Sequence, residues 1–521
     1  MARLHRNLRA QAQRDGDAIA FRCGSNSVTY GELDERSSRL AAAMIDAGVR
    51  RGDRVAVRLA PCVESPIAVY AAFKAGAAMV PIDPLAPAAR VFELIHEGSI
   101  GHMVTATLDA LSPAWKVDSP LRTVFGCEPS QDPGGSVRSV SWDEIDAYGP
   151  VDGIEGTDDD PAYVIFTSGS TGIPKGIVHT HRSAQAYARL STETYGVLPS
   201  DCIANLSPLH FDMSTFGYFS AVLAGATTVL VPPAYSMLPA SLSALIESEH
   251  ITIWYSVPFA LVQLIERGVP QKRDLRSVRW VLYGGEPLSP KHANEIRRHL
   301  PMATLSNVYG PAEVNQCTFH HIPPANDGGP ATLPDEPIPI GCLWNESSGL
   351  ILDAKGQIVD GNAPGELLVS STTMMERYWH STTDDPASFY FGEGDQRYYR
   401  TGDLVRRRTD GLLDYLGRVD RQVKIRGYRI ELDEIEHAAS SHPAVLEAAA
   451  VCVSHRNEKE LLLAATVAPS DVDLESELRI HLADRLPPYA VPTEIQIRSA
   501  FPRTTSGKID RRILAEQLGS A

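Results

Sequence analysis

The chain has 521 residues, of which 43% are hydrophobic and 21% charged, and its formal net charge is −16. This length exceeds one ordinary hydrophobic core and predicts two or more domains, while the composition is that of a globular rather than a disordered protein. The acidic balance argues against nucleic acid and anionic membranes as main partners. No apolar run approaches the ~20 residues that a membrane-spanning helix needs.

Cysteine usage and the N-terminal segment bear on location. The seven cysteines are scattered and form no CxxC pair, so they fit neither a zinc site nor a disulfide framework. The segment MARLHRNLRAQAQRDGD is charged throughout and lacks the apolar core of a secretory signal. We therefore expect a reducing, cytoplasmic location.

The first part of the chain alternates predicted helices and strands. Thr29 and Glu32 have the spacing of a helix capping box, and Gly48 is placed to end the helix that follows. A strand is predicted at residues 54–57, a second helix at about 65–75, and a buried strand in AGAAMVPIDP. The segments TTVLVPP, ITIWYSVP and RWVLYGGEPLS continue the pattern, which predicts parallel sheets covered by helices.

The pattern changes towards the C-terminus. From about Gly341, short strands alternate with turn residues, as in GLILDAKGQIVDGNAPGELLVSS, which indicates antiparallel pairing. We place a hinge at Asp420, between a core of residues 1–419 and a lid of residues 420–521. The predicted fold class is α/β: a large N-terminal domain of parallel and mixed sheets with a small β-barrel-like part, followed by a small, mobile α+β lid.

The segment YVIFTSGSTGIPKGIVHTH places a loop of Gly, Ser and Thr, closed by Lys175, directly after a predicted buried strand. Glycines let backbone N–H groups approach an anion, hydroxyls add donors, and a lysine adds a charge, so the loop suits a triphosphate. The residue order does not match GxxxxGK(S/T), which disfavours a Walker-type ATPase. Taken alone, the loop leaves an ordinary connector equally open.

More motifs follow in order: NVYGPAEV, YRTGDL, GRVDRQVKIRGYRIELDEIE and TTSGKIDRR, with VTYGEL, FKAGAAMVPID and LPPYAVP. From about residue 4 to 514, this series resembles the amino-acid adenylation domains of nonribosomal peptide synthesis. That family belongs to the adenylate-forming enzymes, which include acyl-CoA synthetases and luciferases. The resemblance implies that ATP activates an amino acid as aminoacyl-AMP with release of pyrophosphate, and that the acyl group then passes to a thiol, in natural-product biosynthesis.

The resemblance also implies catalytic residues. Lys508 would bridge the substrate carboxylate and the charge developing on the α-phosphate. Glu313 would bind Mg²⁺, and Thr167 would act at the start of the loop that clamps the β- and γ-phosphates. Tyr309 would stack on adenine, while Asp403, helped by Arg418, would accept hydrogen bonds from the ribose hydroxyls. The residues implied for ATP are Ser168, Gly169, Ser170, Thr171, Gly172, Lys175, Asn307, Tyr309, Gly310, Asp403 and Arg418.

The amino-acid pocket is located by the same motif alignment. Asp212 matches the aspartate that pairs with the substrate ammonium, and Lys508 takes the carboxylate. Gly284 leaves room, whereas Met213 and Phe216 narrow the end near the amine. The lining carries no charge, so we expect a medium-sized apolar amino acid, leucine-like; proline and a β-amino acid stay open. The implied lining is Met213, Phe216, Tyr255, Leu282, Gly284, Val308, Gln316 and Cys317.

Two-step chemistry implies a moving lid. In the second pose Lys508 would leave the site, and the QVKIRG strand with Lys424 and Gly427 would face it, by rotation about Asp420. His210 either gates the pocket or is an ordinary core histidine. Because the sequence stops after TTSGKIDRRILAEQLGSA, we expect a separate carrier protein with a phosphopantetheine arm. A small MbtH-like helper protein is a further possible partner.

Two departures from the family pattern leave alternatives open. Ala312 stands where the family has a phosphate-contacting Thr, and Glu376, Arg377 and Tyr378 replace its usual Arg-Gly. One alternative is an acyl-CoA ligase of a plain carboxylic acid, which would give no reason for Asp212. The other is a non-catalytic nucleotide-binding remnant.

Overall fold

The computed structural model describes residues 3–107, 119–127, 137–167, 174–359, 361–383, 385–455, 458–467, 474–504 and 509–519. The predicted capping box is confirmed. The Thr29 hydroxyl accepts a hydrogen bond from the Glu32 backbone N–H, and the Glu32 carboxylate accepts one from the Thr29 backbone N–H. This capping box begins the helix Tyr30–Asp46. The two predicted elements that follow are the strand Arg54–Arg58 and the helix Glu64–Lys74.

Two α/β sheets dominate the described residues. In the nine-stranded sheet the interior strands run parallel and the edge strands antiparallel. Its strands, in order across the sheet, are Cys342–Leu343, Thr318–Ile322, Thr304–Tyr309, Trp280–Gly284, Ile253–Ser256, Cys202–Asn205, Thr227–Leu230, Ile19–Cys23 and Asn26–Thr29. The order in the eight-stranded sheet is Arg377–Tyr378, Lys175–Thr180, Pro161–Thr167, Ala78–Pro81, Arg54–Arg58, His102–Thr105, Thr123–Phe125 and Arg138–Val140.

Helices pack against and between these sheets. The helix Glu64–Lys74 is buried from Ser65 to Lys74, because it lies inside the largest hydrophobic cluster. The ammonium of Lys74, at the end of this helix, forms an ion pair with Asp34, whose Oδ1 lies 2.6 Å from Nζ. The α-helices of the described chain are Leu4–Arg14, Tyr30–Asp46, Glu64–Lys74, Ala88–Glu97, Trp142–Asp146, His181–Tyr195, Ala221–Ala224, Pro233–Met237, Pro239–Ser248, Pro258–Arg267, Pro290–His299, Leu432–Ser440, Leu474–Ala483 and Arg511–Leu518.

The expected antiparallel region is also present. Within the described residues it is a sheet of five strands: Ser347–Leu352, Gly365–Ser371, Arg397–Arg407, Phe389–Phe391 and Leu413–Arg418.

The C-terminal part begins with a hairpin of Gln422–Ile425 and Tyr428–Glu431. Behind the hairpin lies a small sheet of Val445–His455, Glu458–Val467 and Glu494–Arg498. This arrangement matches the expected α+β lid. Within the described residues, no helix combines the length and apolar character needed to cross a bilayer.

Candidate active site

A cavity of about 640 Å³ lies at the carboxyl ends of parallel strands in the nine-stranded sheet. Tyr255, Gly284 and Val308, near the ends of three neighbouring strands, line one side of it. The hairpin of the lid lines the opposite side through residues that include Lys424 and Arg429. Open α/β sheets bind ligands at this edge, so the cavity is the candidate active site.

Two paired strands of the eight-stranded sheet flank the predicted phosphate loop in the sequence. Thr167 ends the strand Pro161–Thr167 and lines the cavity, and Lys175 begins the strand that pairs with it. The exposed Lys175 ammonium lies 5.7 Å from the centre of the Tyr378 ring. The loop residues implied for phosphate binding, Ser168, Gly169, Ser170, Thr171 and Gly172, lie outside the described residues.

Three residues predicted to bind the nucleotide form one buried network. The Tyr309 hydroxyl donates to Asp403 over 2.6 Å, and Arg418 donates to the other Asp403 oxygen over 2.7 Å. Asp403 and Arg418 line the cavity together with Gly310. Asn307 lies behind, where its amide donates to the Pro339 carbonyl over 2.8 Å.

Glu313, the predicted metal ligand, is fully buried. Arg429 Nη1 lies 2.9 Å from each of its carboxylate oxygens, and the Tyr378 hydroxyl donates to it over 2.6 Å. Burial alone would raise the pKa of this carboxyl, but the Arg429 charge and the hydrogen bonds hold it at about 2. The group is therefore ionised at neutral pH. Just before it, Ala312 lines the cavity and its carbonyl accepts from His179 Nε2 over 2.9 Å.

Asp212 begins a short 3₁₀ turn at the cavity wall. Its Oδ1 accepts from the Met213 backbone over 2.9 Å. Burial raises the pKa of Asp212 to about 6, and the positive charge of Lys424 opposes that shift. Burial lowers the pKa of Lys424 itself, against the attraction of Asp403 and Asp212. A cationic ligand beside this carboxylate would favour its ionised form and offset the desolvation.

The predicted pocket residues separate into two layers. Met213, Tyr255, Gly284, Val308 and Gln316 line the cavity, and we call this group the side-chain recess. Of the remaining predicted lining, Phe216, Leu282 and Cys317 are fully buried and do not border the cavity in the described structure.

The close approach of a neighbouring strand favours glycine at position 284. A Cβ atom there would lie 2.4 Å from the Val308 carbonyl oxygen on the neighbouring strand. The small residue is thus required by strand packing as well as by any room that it leaves for a ligand.

The lid is docked in one definite arrangement. Besides the Arg429–Glu313 pair, Arg90 of the core lies 3.1 Å from Glu434 of the lid. Asp420, the predicted hinge, lies 2.6 Å from Arg418 and accepts from the Gln422 backbone over 3.2 Å.

Lys508 lies outside the described residues. Its neighbour Ile509 packs with Phe501 and Leu514, on the face of the small sheet opposite the cluster that contains the hairpin. Four cations of the described lid residues line the cavity in this arrangement: Lys424, Arg426 and Arg429 from the hairpin and Lys459 from the strand Glu458–Val467.

His210 lines the cavity, and its Nε2 lies 3.8 Å from Asp83. Burial lowers the pKa of this histidine. The geometry thus places it at the cavity wall, between the core and the lid.

Sequence reasoning assigns no role to Arg429 and treats Tyr378 only as a departure, yet both contact Glu313. A signal for Arg429 was present, because Lys424 and Arg429 are directly opposite in the hairpin and cross-strand partners share a face. No comparable local signal marks Tyr378, which reaches Glu313 from a distant strand.

Comparisons with known proteins show which family the chain resembles. The AMP-binding enzyme family matches residues 8–379, and the AMP-binding enzyme C-terminal domain matches residues 434–508. An L-proline–(L-prolyl-carrier protein) ligase of Pseudomonas fluorescens (strain Pf-5) is 32% identical over 521 residues, covering 99% of this chain and 100% of the relative. A ligase of the same name from Streptomyces coelicolor is 34% identical over 502 residues, covering 94% and 92%.

The solved structures agree on the fold. The Vibrio cholerae adenylation domain AlmE superposes with a TM-score of 0.83 at 23% identity, over 99% of this chain and 98% of that one. The chain belongs to the AMP-binding enzyme family. It is an amino-acid adenylating ligase: it uses ATP to form an aminoacyl-AMP, releases pyrophosphate and transfers the acyl group to a carrier protein.

Proposed function

We propose that the preferred substrate is a compact, neutral amino acid whose ammonium pairs with Asp212. The observation that carries this proposal is a half-buried, desolvated carboxylate at the head of a recess whose members are uncharged. A cation placed beside Asp212 compensates its desolvation, whereas a charged side chain in the recess would lack a partner. Proline, the substrate named in two relatives that match over more than nine-tenths of their length, belongs to this class, as does leucine.

The nucleotide would occupy the opposite end of the cavity. Asp403 and Arg418 would hold the ribose, Tyr309 would support the adenine, and Thr167 with Lys175 would meet the phosphates. Asp403 is already held at both oxygens by Tyr309 and Arg418, so its orientation needs no reorganisation on binding.

Glu313 is suited to Mg²⁺, which proteins hold by one or two carboxylates together with substrate phosphates. In the described residues no group of three or more His, Cys, Asp or Glu could hold an ion by itself, so the phosphates would complete the coordination. Bound Mg²⁺ would neutralise charge on the phosphate oxygens. With Arg429 in contact, the pKa of Glu313 is about 2, so the carboxylate is ionised in the arrangement seen here.

The docked arrangement suits the second half-reaction. The hairpin with Lys424 and Gly427 faces the cavity, and Arg429 holds the proposed metal ligand. We infer that Lys508 serves adenylation in another pose, reached by rotation of the lid about Asp420. The arrangement seen here would then be the one that admits the phosphopantetheine thiol of the carrier protein.

The hinge can be tested separately. Asp420→Pro is expected to spare pyrophosphate exchange and to slow acyl transfer to the carrier thiol. Equal loss in both half-reactions would contradict the hinge.

A requirement for an MbtH-like helper would appear as exchange activity that is present only after co-expression.

The substrate proposal is tested by amino-acid-dependent exchange of pyrophosphate into ATP, with Mg²⁺ present. The panel includes proline, leucine, 3-aminobutyrate, β-phenylalanine, glutamate and lysine. A neutral amino acid should give the highest kcat/KM, and Asp212→Ala should abolish exchange with it. Glutamate or lysine as the best substrate, or undiminished activity of the variant, would refute the proposal.

A further inference from the structure

Gln316 is a buried amide with one free hydrogen-bonding atom at the substrate recess. Its side chain is 2% exposed and lines the cavity. Its Nε2 donates to the Tyr195 hydroxyl, whereas its Oε1 has no hydrogen-bond partner among the described residues. A buried acceptor left without a donor is costly, and such groups are normally satisfied in native structures.

The partner of the Gln316 amide nitrogen is held in place by its own contacts. Tyr195 is itself buried, with its ring packed edge-on against Phe216 at 5.9 Å and against Trp280 at 5.4 Å. Its hydroxyl interacts with Ser306, whose own hydroxyl lies 3.0 Å from His321 Nδ1. In this arrangement the amide nitrogen points to Tyr195 and the amide oxygen is the available acceptor.

We propose that the preferred amino acid carries an uncharged hydrogen-bond donor on its side chain, a hydroxyl or a carboxamide N–H, that binds Gln316 Oε1. This inference rests on the proposed function and narrows it from neutral amino acids in general to those with a polar tip. A purely aliphatic substrate would seal Gln316 Oε1 in the pocket without a donor.

A charged donor is disfavoured by the same surroundings. The other recess residues are Met213, Tyr255, Gly284 and Val308, none of which is acidic. Asp212 belongs to the substrate ammonium in the proposed function. A lysine or arginine side chain would therefore place its charge in the recess without a counter-ion.

The test compares shape-matched amino acids that differ in the donor. Pyrophosphate exchange is measured for threonine against valine, asparagine against leucine, and trans-4-hydroxyproline against proline. We expect the best substrate to be a donor-bearing member and to exceed its partner at least tenfold in kcat/KM, which corresponds to about 1.4 kcal/mol. A hydrocarbon member as the best substrate, or pairs that differ less than threefold, would overturn the proposal.

The variant Gln316→Leu removes the acceptor at similar volume and should bring the ratio within the best pair to about one. Tyr283→Phe is the control. Like Gln316, Tyr283 is buried and has a side-chain oxygen without a partner among the described residues, but it does not line the cavity. A ratio that survives in Gln316→Leu, or that collapses equally in Tyr283→Phe, would contradict the role of Gln316.

Two further outcomes distinguish a failure of this inference from a failure of the proposed function. If Gln316→Leu does not fold, the deciding measurement is calorimetric binding to the unaltered enzyme of non-hydrolysable adenylate analogues of the two amino acids in the best pair. Tighter binding of the donor-bearing analogue supports the inference, and equal or weaker binding overturns it. Exchange with no neutral amino acid at all would refute the proposed function itself. Exchange that is best with proline or leucine would refute only the donor.

Discussion

Arg429 in the lid and Glu313 in the core form a buried ion pair, with one guanidinium nitrogen 2.9 Å from each carboxylate oxygen. Glu313 is fully buried, so the pair is largely shielded from solvent screening. The same carboxylate is our proposed Mg²⁺ ligand. The lid cation and the proposed metal ion would therefore compete for one group, which would link the position of the lid to the step of the reaction.

Replacing Arg429 with Ala should impair the pose seen here more than the adenylation pose. Removing one partner of a buried ion pair typically costs about 3–5 kcal/mol, because the remaining charge is left uncompensated. We expect transfer to the carrier thiol to slow at least tenfold relative to pyrophosphate exchange, measured by single-turnover loading and by exchange. Arg512→Ala, at an exposed lid arginine, is the control and should alter neither. Parallel loss of both half-reactions would contradict the prediction.

The activity should depend on the ionisation of Asp212. Its pKa is about 6, so the carboxylate that pairs with the substrate ammonium is present above pH 6 and is lost below it. We expect kcat/KM for the amino acid to fall about tenfold per pH unit below pH 6. Exchange measured from pH 5 to 8 checks this. In Asp212→Asn the residual activity should not fall in this way below pH 6. An unchanged fall would show that another group causes the pH dependence.

Buried neutral histidines should make the fold acid-sensitive. Burial lowers the pKa of His5 to about 3 and that of His179 to about 4, below the unfolded value of 6.5. The unfolded chain therefore binds more protons below pH 6.5, and stability is lost as pH falls from 6.5 towards these values. Each group contributes roughly 1.4 kcal/mol per pH unit in that window.

Urea unfolding at pH 7.5 and 5.5 measures this effect. His179→Gln should show a smaller loss of stability between the two pH values than the unaltered chain. His380→Gln, at an exposed histidine, serves as the comparison and should retain the full loss. An equal pH dependence in all three proteins would exclude His179 as a contributor.

Gly284→Ala should lower the stability of the fold and not only change the substrate selectivity. Its Cβ would lie 2.4 Å from a backbone oxygen of the neighbouring strand, which cannot move as a flexible side chain would. Overpacking of this kind costs about 1–3 kcal/mol. We expect a lower melting temperature and reduced exchange with small and large substrates alike. Loss confined to the larger substrates, at unchanged stability, would show that the glycine serves substrate room alone.

Much of the fold follows from local patterns in the sequence. The capping box at Thr29 and Glu32, the strand at residues 54–57 and the change to antiparallel strands after Gly341 are all present in the structure. These features depend on neighbours in sequence, through helix caps, side-chain periodicity and turn residues. The same is true of the motif order that indicated an adenylating enzyme, which the family and its relatives confirm.

The amino-acid sequence by itself determined the fold class and the candidate residues Asp212, Glu313 and Asp403, because their motifs are short and contiguous. Tertiary structure decided which of these side chains meet. Tyr378 reaches Glu313 across 65 positions, and Gln316 reaches Tyr195 across 121. Such contacts depend on how sheets and lid pack in three dimensions. For the same reason a free acceptor at the substrate recess becomes visible only in the folded chain.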